Sequence, residues 1–405
     1  MKRFLIVLFN FIFFFTFIKM PATGVLADDI NEERQYVQVF PQNNTPVPKA
    51  QMPRIDASAA IIMDMGSGRV LYEKNAYVRR AMASTTKIMT AIVALENGNL
   101  NDEVTTSKRA ASISGSVISL RTGEKMKLSE MLYGLLMESG NDAAIAIAEH
   151  VGGSVENFCE MMNQKALELG APNTHFTSPH GLDAPEHYTT AYELALITKY
   201  ALKNPTFAKI VSTRTATIPN RSLYNTNELL GVYPGTIGVK TGYTGQAGRC
   251  LVTAVNRNNW GGGIISVVLG SPTRNARAQS SKNILDYAFT NYSPQTLLKE
   301  RETLGQIPVI KGITPNVKVE AAEEITLPLR KDELDVLQKQ VVMKDILDSP
   351  VSANIEVGTI RYTINEKVIA ESAIVTSADV RRKTFTDYFH DIILEWGKII
   401  RQAGA

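Results

Sequence analysis

An α+β protein with a second, all-β unit and a terminal amphipathic helix is what this sequence predicts, and three observations carry that reading. Apolar, strand-like segments stand at both ends of a region whose middle has helical periodicity. Short β-like stretches separated by turn residues follow that region. The last segment then places bulky apolar residues along one helical face.

At the N-terminus, Lys2 and Arg3 precede an apolar run from Phe4 to Ile18, then Lys19 and the small residues Val25 and Ala27 at the positions an export peptidase reads. The pattern predicts a signal peptide over residues 1–27. A permanent anchor is the competing reading, but the run is short for a bilayer and holds Asn10 and Thr16. Residues 28–54 are polar and carry Pro41, Pro46, Pro48 and Pro53, which predicts an extended linker.

A globular domain is expected over residues 55–292, opening with a hairpin whose strands, 57–64 and 69–73, flank Gly66-Ser67-Gly68. Residues 85–96 carry Ile88, Ala91, Ile92 and Leu95 on one stripe and stop at Asn97-Gly98, so a helix begins beside Ser84. Helices are also predicted at 128–137, 142–150, 154–169 and 190–202. The Val/Ile/Leu-rich segments 249–255 and 263–269 predict antiparallel strands, and 274–291 returns to helical periodicity. The first and last strands are therefore expected to pair in a sheet covered by a helical insertion.

Beyond Pro294 the segments 306–310, 317–320, 324–329, 336–343, 355–362 and 367–375 predict a small all-β domain over residues 293–380. In residues 381–405, Phe385, Tyr388, Phe389, Ile392, Ile393, Trp396, Ile399 and Ile400 share a face, led in by Arg381, Arg382 and Lys383. That suits an amphipathic helix lying in a membrane interface. Docking on its own protein or in a dimer would use the same stripe.

The chain has 43 Lys+Arg and 40 Asp+Glu; loss of residues 1–27 would remove Lys2, Arg3 and Lys19 and no acid, leaving 40 of each. No basic run interleaved with aromatics is present, so nucleic acid is not an expected partner. Cys159 and Cys250 are too few for a disulfide framework and lack metal-ligand spacing. Both stand in apolar stretches, which favours buried free thiols over a pair.

Chemistry concentrates in three short motifs. In Ser84-Thr85-Thr86-Lys87, residues three apart share a helix face, so Lys87 can reach the Ser84 hydroxyl and take its proton. Alone, Ser84 reads as an N-cap. Ser139-Gly140-Asn141 and Lys240-Thr241-Gly242 follow in order, and together the three build an acyl-transfer site. Lys87 is the expected base, needing burial or a second cation such as Lys240 to shed its own proton. Ser139 would carry the proton onward, and Asn141 would bond the substrate amide. Thr241 and the backbone after it would line a peptide as an added strand, with Gly242 permitting close approach. The backbone N–H groups of Ser84 and Tyr243 are the expected oxyanion donors. His180 and His187 lack the His-Glu-x-x-His pattern and are expected to be structural.

The segments Ala83-Ser84-Thr85-Thr86-Lys87, Glu138-Ser139-Gly140-Asn141-Asp142 and Gly238-Val239-Lys240-Thr241-Gly242-Tyr243-Thr244 resemble those of the low-molecular-mass penicillin-binding proteins, above all the D-alanyl-D-alanine carboxypeptidases. His180-Gly181-Leu182-Asp183 also resembles a family stretch. The resemblance implies a serine β-lactamase/transpeptidase-like catalytic domain that removes the terminal D-alanine from peptidoglycan stem pentapeptides through a Ser84 acyl-enzyme, without metal or organic cofactor. It implies β-lactams as covalent inhibitors, an exported enzyme at the outer face of the bacterial membrane, and an arginine for the substrate carboxylate. Arg277 fits that arginine best, with Arg274 as the neighbour to be weighed. Tyr243 stands where some carboxypeptidases have histidine. The competing readings are a β-lactamase, for which Glu186 is the available carboxylate, a non-turnover penicillin-binding sensor or scaffold, and an endopeptidase on cross-links.

Overall fold

The computed structural model describes residues 52–257 and 260–403. The predicted signal peptide and all but the last residues of the predicted linker lie outside the described residues.

β1 (Ala59–Asp64) pairs antiparallel with β2 (Val70–Lys74) on one side and, on the other, with a strand more than 200 residues later. Every position of β1 is buried because the sheet is covered on both faces. Ile61 and Met63 face a large core made with the helices, while Ala60 and Ile62, one residue out of phase, face a second core. This is the strand's two-residue period acting on a sheet with no solvent side.

The helical insertion begins with a 3₁₀ turn, Ala83–Thr86, that runs directly into α1 (Lys87–Asn97). A two-stranded ribbon, β3 (Glu103–Thr105) with β4 (Lys125–Lys127), encloses the single turn α2 (Lys108–Ala111). Then come α3 (Leu128–Met137), α4 (Asn141–Gly152), α5 (Val155–Glu168), α6 (Ala191–Ala201) and α7 (Pro205–Ser212). Ser154, Thr190 and Asn204 cap α5, α6 and α7 by accepting backbone N–H bonds, and Pro205 fits at the first turn of α7. A hairpin, β5 (Thr215–Ile218) with β6 (Arg221–Tyr224), closes the insertion. Helix α7 and this hairpin were not anticipated from periodicity, since each is too short to show one.

β7 (Thr236–Thr244), β8 (Gly248–Val255) and β9 (Ile264–Ser271) complete a five-stranded antiparallel sheet in the order β2-β1-β9-β8-β7. The predicted pairing of first and last strands is the β1/β9 ladder, Ala59 opposite Leu269 through Asp64 opposite Ile264. α8 (Arg274–Asn291), capped by Thr273, covers the second face with Ile284, Leu285 and Ala288.

The second unit holds β10 (Ser293–Leu298), β11 (Thr303–Ile310), β12 (Asn316–Ala321), β13 (Ile325–Leu329), the single turn α9 (Lys331–Leu334), β14 (Leu337–Met343), β15 (Leu347–Asp348), β16 (Glu356–Ile364) and β17 (Lys367–Thr376). A six-stranded sheet ordered β14-β16-β17-β12-β11-β15 and the β10/β13 pair share a third core around Val319, Leu327, Ile360 and Ile374. Arg69 joins the two units by an ion pair to Glu333 (2.7 Å) and a bond to the Pro328 carbonyl. α10 (Phe385–Ala403) ends the described chain.

Candidate active site

Ser84 lies inside the 3₁₀ turn, and its hydroxyl does not cap a helix: neither this turn nor α1 has a side-chain cap. The Ser84 Oγ instead accepts a 2.8 Å bond from Lys87 Nζ. Lys87 is fully buried and also donates to Asn141 Oδ1 (2.8 Å) and the His180 carbonyl (2.7 Å). The three-residue spacing thus works across a 3₁₀-to-α junction, where positions i and i+3 stand above one another.

This turn is pinned from two sides. Ala83 has a left-handed φ of 50°, an arrangement that costs on the order of 1–3 kcal/mol and persists only when its surroundings enforce it. On one side stands Gly181, where a Cβ would fall 2.1 Å from the Ala83 carbonyl oxygen. On the other stands Gly242 of β7, where a Cβ would fall 3.0 Å from the Ser84 nitrogen. The strand therefore presses its backbone against the turn, next to one of the two expected oxyanion donors.

The loop carrying Gly181 is bonded to the helix that follows Ser84 and to the end of the third-motif strand. Thr90 Oγ1 donates to the Pro179 carbonyl (2.6 Å), and the Asp183 carboxylate accepts from Thr244 Oγ1 (2.5 Å) and the Gln246 N–H (3.1 Å) at the end of β7. His187 Nδ1 accepts from the Thr177 N–H (3.1 Å), so its proton is on Nε2 and is donated to Thr86 Oγ1 (2.7 Å). Burial lowers the pKa of His187 to about 4 and that of His180 to about 3, with the Lys87 charge a lesser cause in each. Both rings are neutral near pH 7 and hold the loop. The His180 carbonyl as a partner of Lys87 had no signal in the sequence.

Ser139 is buried between α3 and α4, with a left-handed φ of 63°. The acids flanking it serve the scaffold. Glu138 accepts from the Tyr224 N–H (2.7 Å), and Asp142 accepts from the N–H groups of Ile118 (3.0 Å) and Leu120 (2.9 Å). Asn141 bonds Lys87 through Oδ1 and donates through Nδ2 to the Ser114 carbonyl (2.8 Å), so both ends of its amide are engaged.

Lys240, Thr241, Gly242 and Tyr243 lie on β7, the edge strand, hydrogen-bonded within the sheet only to β8. Lys240 Nζ donates to the Thr241 carbonyl (2.8 Å), and Thr241 Oγ1 is 2.7 Å from Thr226 Oγ1. Tyr243 lies under the Arg249 guanidinium, 3.8 Å from ring centroid to Cζ, its cross-strand partner on β8.

Arg277 of α8 is 1% exposed and does not stand open to solvent. Its Nε and Nη2 each donate to Glu228 at 2.8 Å, and Nη1 reaches the Cys250 carbonyl at 3.3 Å. Glu228, 49 residues away in sequence, was not singled out from the sequence. Arg274 is also largely buried. Cys159 and Cys250 are buried free thiols, and burial pushes Cys159 up to about 11.

A family model described as D-alanyl-D-alanine carboxypeptidase matches residues 46–273, and one described as penicillin-binding protein 5, C-terminal domain, matches 292–382. The chain is 37% identical over 354 residues to D-alanyl-D-alanine carboxypeptidase DacF of Bacillus subtilis (strain 168), covering 85% of this chain and 90% of that protein. Among solved structures, penicillin binding protein 5 from Haemophilus influenzae is similar with a TM-score of 0.74 at 30% identity, covering 82% of this chain and all of that one. A DD-transpeptidase from Streptomyces K15 gives a TM-score of 0.56 at 38% identity, covering 59% of this chain and 99% of that one. With its motif-bearing domain and its β-domain both matched, and relatives aligned along most of its length, this chain belongs to the D-alanyl-D-alanine carboxypeptidase family of serine peptidases.

Proposed function

We propose that Ser84 is the nucleophile of this serine D-Ala-D-Ala carboxypeptidase, and the observation that carries the proposal is the 2.8 Å contact between its hydroxyl and a buried lysine amine. Lys87 Nζ, which donates to three oxygens in this structure, first gives up one proton to solvent; Ser84 Oγ then attacks the carbonyl carbon of the penultimate D-alanine while its own proton passes to the neutral amine. The carbonyl oxygen becomes an oxyanion, bonded by the backbone N–H groups of Ser84 and Tyr243. As the C–N bond breaks, the leaving D-alanine takes a proton delivered by Lys87 through Ser139. Water then repeats the sequence on the Ser84 ester and releases the shortened peptide. Thr241 and Gly242 hold the peptide along the edge of β7, Lys240 supplies positive charge, and Arg277 takes the terminal carboxylate. Asn141, engaged at both ends of its amide, positions Lys87 as well as the substrate.

A stem pentapeptide ending in D-Ala-D-Ala is the substrate this reading names, and β-lactams acylate the same serine. The β-lactamase alternative loses support at Glu186, whose side chain is exposed and whose backbone carbonyl, not its carboxylate, accepts from His175 (2.6 Å). The test is D-alanine release from diacyl-Lys-D-Ala-D-Ala. Release that disappears in Ser84→Ala is the expected result; no release from folded protein that is acylated by penicillin leaves a sensor.

The protein works as an exported enzyme on the outer face of the membrane, with α10 lying in the interface. Phe385, Trp396 and Ile400 are 83%, 64% and 67% exposed, and Lys398 and Arg401 are also exposed. Among the described residues no helix is long and apolar enough to cross a membrane. Burying such a face in the headgroup region is favourable and is strengthened by anionic lipid. Mature protein is expected to sediment with anionic vesicles, and protein ending at residue 382 to remain in the supernatant with its peptidase activity intact. Equal partitioning of the two would assign the helix to protein contacts.

A further inference from the structure

One stretch, residues 224–228, ties together the second motif, the third motif and the helix bearing Arg277. The Tyr224 N–H donates to Glu138 (2.7 Å), and the Thr226 N–H donates to the Met137 carbonyl (3.2 Å), both just before Ser139. Thr226 Oγ1 meets Thr241 Oγ1 at 2.7 Å. Two residues on, Glu228 places both carboxylate oxygens 2.8 Å from Arg277. The pair is buried, with side chains 10% and 1% exposed.

We infer that Glu228 is the positioning residue of the subsite for the substrate carboxylate, which it builds by aiming Arg277. The inference rests on the reading above in which Arg277 takes that carboxylate. A guanidinium offers two donor forks, Nε with Nη2 and Nη1 with Nη2. Glu228 takes the first. This sets the plane of the group and turns Nη1 toward β8, where it lies 3.3 Å from the Cys250 carbonyl. Cys250 stands opposite Gly242 in the β7/β8 ladder, so Nη1 is held one strand away from the third motif. Without its acid, an arginine side chain gains rotamer freedom and loses that direction.

The charge of Glu228 makes the inference sharp. An anion beside the arginine lowers the net positive charge offered to an incoming carboxylate. If Glu228 acted only through charge, its removal would strengthen binding of acidic substrates. If it aims the guanidinium, its removal weakens binding although the site becomes more positive.

The experiment compares Glu228→Gln, Glu228→Ala and Glu228→Asp with the parent protein on two substrate pairs: diacyl-Lys-D-Ala-D-Ala against its C-terminal carboxamide, and benzylpenicillin against its methyl ester. Thermal midpoints are measured in parallel. The expected result is that Glu228→Gln and Glu228→Ala lose roughly tenfold or more of the preference for the acid over its uncharged analogue, the scale of one hydrogen bond to a charged group. The loss should appear mainly in KM, and Glu228→Asp should restore part of it. In an Arg277→Ala background, Glu228→Ala should change the preference no further. A raised preference for the acid in Glu228→Gln would overturn the inference in favour of simple repulsion, and an equal loss on acid and analogue would reduce Glu228 to a folding role. Penicillin acylation without D-alanine release would remove the peptidase reading alone, since the acid-to-ester ratio still reports on Glu228. No acylation at all would remove both.

Discussion

Replacing Lys87 with alanine is expected to slow acylation of Ser84 by penicillin by about 10²–10⁴-fold, the range a positioned general base contributes. Lys87 Nζ is the amine 2.8 Å from the Ser84 hydroxyl, and it is held there by Asn141 and the His180 carbonyl. Alanine leaves those two buried oxygens without their donor, costing about 1–3 kcal/mol for each left unsatisfied, while also removing a buried amine from the core. Lys87→Arg separates the two effects, because a guanidinium can bond the same oxygens but cannot act as a base. Both variants should be inactive while circular dichroism stays close to the parent. Stopped-flow acylation with a fluorescent penicillin is the measurement, and acylation by Lys87→Arg within tenfold of the parent would reject Lys87 as the base.

Gly181→Ala is expected to have the second largest effect, on stability and turnover together. Its Cβ would fall 2.1 Å from the Ala83 carbonyl oxygen and 2.6 Å from Thr86 Oγ1, at a φ of +90°. Neither neighbour is the far end of a flexible chain, so the loop must move off the 3₁₀ turn. The same movement withdraws the adjacent His180 carbonyl from Lys87. A loss above about 3 kcal/mol is expected, combining steric overlap with backbone strain. Gly170→Ala is the control, because its φ is +74° but nothing lies within 4 Å of its Cβ. That variant should lose only about 1–2 kcal/mol and keep its activity. Equal denaturation midpoints for the two would show that the contact with Ala83 has no energetic weight.

Much of the architecture was legible because it rests on local rules. The span of α3 follows from its periodicity, whereas α8, with little amphipathic character, is marked at its start by the Thr273 cap, whose side chain accepts from the Ala276 N–H. β1 was legible as a buried strand because both of its faces are apolar. The short α7 and the β5/β6 hairpin were not, since neither is long enough to establish a period against the background.

The site divides in the same way. Ser84 and Lys87 are three residues apart, so sequence spacing alone brings them into contact. The types and order of Ser139, Asn141, Lys240 and Thr241 likewise determined what chemistry a shared cleft would carry. Their meeting depends on the tertiary structure, because Asn141 reaches Lys87 across 54 residues and Thr226 reaches Thr241 only where a loop crosses the edge strand. The N-cap reading of Ser84 could be set aside only once the hydroxyl was seen to face the lysine. Glu228 was invisible for a plain physical reason: a carboxylate on a polar loop is ordinarily solvated, and only burial against Arg277 turns it into a fixed partner. What the amino-acid order determined by itself was the local geometry of each motif and the reactivity of its groups. Which carbonyl holds the lysine, which acid aims the arginine and which glycines let β7 and the loop close on the 3₁₀ turn were decided by long-range packing, where contacts between distant residues leave no local pattern to read.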